Sequence, residues 1–222
     1  KIQNKKNLLK KTFPSRKISF QEIASVSMES YPQTETPAVQ DIVFTPPFAY
    51  PFNFEEYIDY GSNTSTSSDV SLDDGEISSS VRRVYAPMAH AMAGVSERLE
   101  VPQGVRTLKI TANTFVENSS ATSLSAFGFG YAVSSLFLNI QGSNGILCEK
   151  EYELNSSMSP VIWYHEASST QVQSVTCTIN VFTESNIIIT TGNKSFSMGL
   201  VVSASNASND SHIENINVEI LN

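Results

Sequence analysis

The chain has 222 residues, 40% of them apolar and 16% charged, with a formal net charge of −8. Its polarity comes mainly from hydroxyls, since 34 Ser and 16 Thr outnumber 14 basic and 22 acidic residues. Such a composition suits strands and loops and excludes helix bundles and coiled coils. No stretch reaches the roughly 20 consecutive apolar residues of a membrane-crossing helix, and no apolar signal region follows the basic N-terminus, so a soluble chain is expected.

Charge divides the sequence into three parts. Residues 1–17 hold Lys1, Lys5, Lys6, Lys10, Lys11, Arg16 and Lys17 and no acid, residues 18–80 hold eleven acids and no Lys or Arg, and residues 81–222 are close to balanced. Block segregation of this kind marks arms rather than packed cores. The expected organisation is a basic N-terminal arm (1–17), an acidic extended segment with a polar linker (18–80) and a folded domain (81–222). Lys5, Lys6, Lys10, Lys11, Arg16 and Lys17 form a surface for a polyanion, nucleic acid or an anionic surface, or for a neighbouring subunit. Ile2, Leu9 and Phe13 share one face of a short helix that Pro14 would stop.

The acidic segment is too aromatic for a solvated tail. Phe44, Phe48, Tyr50, Phe52, Phe54 and Tyr57 are interspersed with Pro46, Pro47 and Pro51, which forbid a long helix and leave the chain extended. These side chains are expected to dock along a folded surface, as an arm. Residues 61–80, rich in Ser and Thr, read as a flexible linker. Next, Ala86–Ala93 predicts a short helix, with Pro87 in its first turn and Gly94 as its C-terminal cap.

From Pro102-Gln103-Gly104 onwards, apolar residues recur at every second position, the period of half-buried strands. The alternation covers Leu108, Ile110, Ala112; Leu136, Leu138, Ile140; Cys148 to Leu154; Val175 to Val181; Phe196 to Ala204; and Ile216, Val218, Ile220. Shorter runs at 161–166 and 187–191, with turns at Gly142-Ser143-Asn144-Gly145 and Gly192-Asn193-Lys194, bring the count to about eight. The expected fold is all-β: an antiparallel two-sheet sandwich of jelly-roll type with a long N-terminal arm.

Chemistry is sparse. His90, His165 and His212 lack metal-ligand spacing, so neither a metal nor a cofactor is expected. Asp69–Glu76 resembles a calcium loop only in its alternating oxygens, because Gly75 falls one place late and Ser80 stands where the bidentate Glu belongs. Phe127-Gly128-Phe129-Gly130-Tyr131 is too glycine-poor for a phosphate cradle, and reads instead as close sheet packing or an aromatic platform for a sugar. Trp163, Tyr164, His165 and Glu166 form a second candidate ligand site. Cys148 and Cys177 both point inward, which leaves a bridge and two buried thiols equally open. Asn-X-Ser/Thr sequons occur at Asn63, Asn118, Asn155, Asn193, Asn206 and Asn209, a number close to chance in so Ser-rich a chain.

A β-sandwich with a basic arm is similar in general layout to viral coat subunits. The leading expectation is a non-enzymatic structural or interaction protein that self-assembles through its arm into a capsid-, shell- or fibre-like array. The alternative is a carbohydrate-binding or adhesion module that uses surface aromatics.

Overall fold

A computed structural model describes residues 41–58, 65–70, 75–84, 86–125, 129–159, 171–200 and 203–221. Eleven strands lie among them: β1 (Ile42–Phe44), β2 (Tyr50–Ile58), β3 (Ser65–Val70), β4 (Glu76–Val84), β5 (Met88–Glu100), β6 (Thr107–Ser125), β7 (Gly130–Gly142), β8 (Gly145–Ser159), β9 (Gln171–Asn180), β10 (Asn186–Gly199) and β11 (Ser203–Leu221). They form two antiparallel sheets. One runs β3-β4-β11-β6-β9, with β1 also paired to β11, and the other runs β2-β5-β10-β7-β8.

The pairing has a simple logic. β4 pairs β11, β5 pairs β10, β6 pairs β9 and β7 pairs β8, so the chain from β4 onward is one long hairpin whose two arms are folded over together. Contacts of β11 with β6 and of β10 with β7 close the two sheets. This is the jelly-roll order.

Several expectations need correction. Residues 86–93 form no helix: β5 runs through them, because Ala89, Ala91 and Ala93 are buried while Met88, His90 and Met92 face outward, a period of two. The Ala-rich composition and the flanking Pro and Gly imitate a helix, and tertiary pairing on both edges of β5 overrides that propensity. Gly192-Asn193-Lys194 is no turn, but lies in the middle of β10. Phe196–Ala204 is no single strand, since β10 ends at Gly199 and β11 begins at Ser203. The stretch 61–80 includes β3 and the start of β4, both hydrogen-bonded in the six-stranded sheet. The described sandwich thus begins at β1, not at residue 81.

The interior changes character along its length. One half is a conventional apolar core of Leu108, Ile110, Leu136, Leu138, Ile140, Ile187, Ile189, Ile213 and Ile216, each fully buried. The other half is thin, with Val81, Ala89, Ala91, Ala121, Ala132 and Ala207. There, serines bond across the gap between the sheets: Ser79 to Ser195 at 3.0 Å, Ser119 to Ser134 at 2.7 Å, and Ser123 to Ser157 at 2.9 Å. Two hydroxyls can meet like this only if the backbones approach to within about 8 Å, inside the ~10 Å usual for packed sheets. Small side chains and satisfied hydroxyls are therefore two aspects of one close approach.

Arg83 lies at this thin end and is fully buried. Its Nε donates to Ser197 and Ser205, Nη2 to Ser203 and Ser205, and Nη1 to the carbonyls of Ala86 and Leu200. Burial pulls its guanidinium below the ordinary value. A Cβ on Gly199 would come within 2.6 Å of Nη2, so glycine there makes room for the guanidinium.

Candidate functional face

The outer surfaces of the two sheets differ in kind. On the six-stranded sheet, polar pairs run across the strands: Lys109 with Glu219, Thr111 with Thr176, Asn113 with Asn215 and Ser120 with Ser208. That is a solvated surface. The five-stranded sheet instead carries a ladder of rings across four strands. Phe54 of β2 meets the edge of His90 on β5 (5.7 Å between centroids), His90 meets Phe196 on β10 (6.0 Å), and Phe196 meets Tyr131 on β7 (6.4 Å). Tyr131 stacks on Phe129 at 6.5 Å, with only 13° between the ring planes.

Beside the ladder, Phe52 and Phe137 come within 6.2 Å although β5 and β10 separate their strands. Directly between them lie Gly94 and Gly192, paired in register. Two adjacent glycines lower the sheet surface, and the rings of Phe52 and Phe137 close over the depression. On the other side of the ladder, Ile58, Met88, Met198, Tyr131 and Met158 follow one another in register across the whole sheet. Phe54 is 46% exposed and Met158 61%.

Charged groups border the rings. Lys194 bonds Glu151 at 3.0 Å, and Ser135 donates to the same carboxylate at 2.6 Å. Burial pushes the Glu151 carboxyl up, but the hydrogen bonds from Ser135 and Lys194 outweigh it and hold the group below its ordinary value. His90 is held below its ordinary value by burial first and Lys194 second, against the opposing pull of Glu56 and Glu151. Its Nε2 is buried and unpartnered among the described residues. Tyr131 is raised by burial and by the nearby Glu153 and Glu151.

The residues singled out from sequence fall in different places. Phe48 is in the core, Phe44 packs beside it, and Tyr50, Phe52 and Phe54 belong to β2 on the five-stranded sheet. The side chain of Tyr57 lies outside the described residues. So do Trp163, Tyr164, His165 and Glu166, and the arm residues Lys5, Lys6, Lys10, Lys11, Arg16 and Lys17. Cys148 and Cys177 form a disulfide that joins β8 of one sheet to β9 of the other. Sequence reasoning missed Met88, Met92, Lys194 and Met198 as residues of the outer face. The alternation of Met88, His90 and Met92 with alanines was the available signal. Among the described residues, no three His, Cys, Asp or Glu side chains gather as a metal site, and no helix is long and apolar enough to cross a membrane.

No protein-family model and no curated protein matches the chain. Among solved structures, it is similar to TmCBM61 in complex with β-1,4-galactotriose (12% identity, 72% of this chain and 90% of that one, TM-score 0.26). It is similar also to the family 11 carbohydrate-binding module of the cellulosomal cellulase Lic26A-Cel5E of Clostridium thermocellum (8%, 80% and 96%, TM-score 0.27). A third similarity is to the infectious bursal disease virus Gx strain (10%, 81% and 35%, TM-score 0.28).

Proposed function

We propose that this chain is a non-catalytic structural or interaction subunit that self-associates, with its N-terminal arm reaching a neighbouring copy. The observation that carries the reading is the contrast between the two outer surfaces. One is crossed by polar pairs with Val43, Leu124 and Val172 exposed on separate strands, while the other exposes Phe54, Ile58, Met158 and Met198 around a row of rings. Contiguous apolar surface rich in Phe and Met is the composition of protein interfaces. The rings also argue against a flat sugar platform along most of the ladder, since successive planes are inclined at 67°, 78° and 59°.

The test is sedimentation velocity on the full chain and on a chain that begins at residue 41. Truncation stops there because β1 to β4 belong to the sheets. Loss of a concentration-dependent oligomer on truncation supports the reading, and an unchanged mass overturns it. One observation favours the second reading, a carbohydrate-binding module. Phe129 and Tyr131 lie nearly parallel and stack on one another, and the free face of such a pair is a flat surface of the kind a sugar ring stacks on. A glycan array with the Tyr131→Ala variant as control tests it.

A further inference from the structure

We infer that the basic segment 1–17 of a second copy docks on the ring-bearing face of the five-stranded sheet, its cationic side chains meeting the carboxylates that rim that face. The inference rests on the self-association reading and names its surface.

Two features of the face fit this occupant. The first is hydropathy. Segment 1–17 contains Ile2, Leu8, Leu9 and Phe13 among its basic residues, and the face offers Phe54, Ile58, Met158 and Met198 as exposed apolar partners. The second is charge. On β8, Glu149, Glu151 and Glu153 stand opposite Asn139, Phe137 and Ser135 of β7, and on β2, Glu56 stands opposite His90. These four carboxylates border an area that holds Lys194, which is bonded to Glu151. Farther along β5, Arg98 and Glu100 are of opposite sign. The face is thus acidic around an apolar centre, and the segment is basic with apolar residues between its charges.

Reach fits as well. Residues 18–40 separate the basic segment from the described chain and span up to about 75 Å when extended, against roughly 40 Å for the diameter of a domain this size. Asp41 is tied to the six-stranded sheet, where its carboxylate accepts from the N–H of Ile220 at 3.3 Å. A reach of this length lets the segment meet the ring face of a neighbouring copy.

The experiment is a charge swap on the full chain, read by sedimentation velocity at low and high salt, with circular dichroism to verify folding. Glu56→Lys with Glu149→Lys reverses the rim at exposed positions and is expected to weaken association at least tenfold. Lys5, Lys6, Lys10 and Lys11→Glu should do the same, and mixing the two variants should restore association between unlike chains only. If truncation at residue 41 abolishes assembly but rim reversal leaves it intact, the arm docks elsewhere: this inference fails and the self-association reading stands. A chain that stays monomeric at all concentrations defeats both. Cross-links confined within one chain, in a mixture of isotopically light and heavy protein, defeat the assignment to a second copy.

Discussion

Arg83 shows how a buried cation can be held by neutral groups. Nη1 and Nη2 each donate to two acceptors and the single Nε N–H is shared between two, so three serine hydroxyls near the end of β10 and the start of β11 and the carbonyls of Ala86 and Leu200 surround the guanidinium. Removing the guanidinium leaves a cavity and takes the partner from the Ala86 carbonyl, while Ser197 and Ser205 stay bonded to each other and Ser203 to the Leu200 carbonyl. Arg83→Ala should cost about 2–5 kcal/mol in urea unfolding, through the cavity and the lost bond to Ala86. Arg83→Lys should still cost about 2 kcal/mol, because one ammonium cannot serve so many separated acceptors. His90 gives a pH signature. With its pKa depressed in the fold, the unfolded chain takes up more protons on acidification. Stability should therefore fall as pH drops through the ordinary value of 6.5, before Glu151, held below 4.5, begins to protonate. Asp210, raised above 3.8 by burial and Glu117, acts with the opposite sign at lower pH. His90→Phe, which keeps a ring between Phe54 and Phe196, should flatten the dependence of the thermal midpoint between pH 7 and 5.

Among the elements, β5 and β10 depend on their glycine pair. A Cβ on Gly94 would lie 2.3 Å from the Thr191 carbonyl oxygen, and one on Gly192 would lie 2.1 Å from that of Ala93. Both obstacles are backbone, so neither can swing aside. Either Gly→Ala substitution should cost about 3 kcal/mol or more by forcing the strands apart, and it should also separate Phe52 from Phe137, visible in the near-ultraviolet circular dichroism. The Cys148–Cys177 bond closes a loop with a sequence separation of 29 and staples the two sheets. Replacing both cysteines with Ala should lower unfolding free energy by about 3–4 kcal/mol. Strands with Ile, Leu or Val on their inner face, such as the first part of β6 and the middle of β7, were legible because their alternation follows hydropathy. The rest of β6, from Asn113 to Ser125, was not. Its inner positions include Ser119, Ser123 and Ser125, and serine looks outward-facing until the partner hydroxyl across the sheets is known. The first half of β5 was illegible for the converse reason: Met88, His90 and Met92 face outward and only alanines face in.

For the whole molecule, the jelly-roll class follows from period two and composition, while the pairing order does not, since it depends on contacts such as that of β4 with β11 across more than 100 residues. The ring ladder was legible only in fragments. Phe54 and Tyr131 were marked, each for another reason, and nothing local places them on one sheet with His90 and Phe196. The two surfaces also carry a solubility expectation. Met158→Ser, at an exposed position, should leave the stability within about 0.5 kcal/mol of the parent while reducing dye binding to apolar surface.

β11 is the last described strand, and yet it lies inside its sheet, with β4 and β1 on one edge and β6 on the other. During synthesis, the six-stranded sheet therefore remains split into separate pieces until residue 221 has left the ribosome. Unpaired strand edges and inward-facing Leu and Ile side chains stay available to chaperones until β11 pairs with β4 and β6.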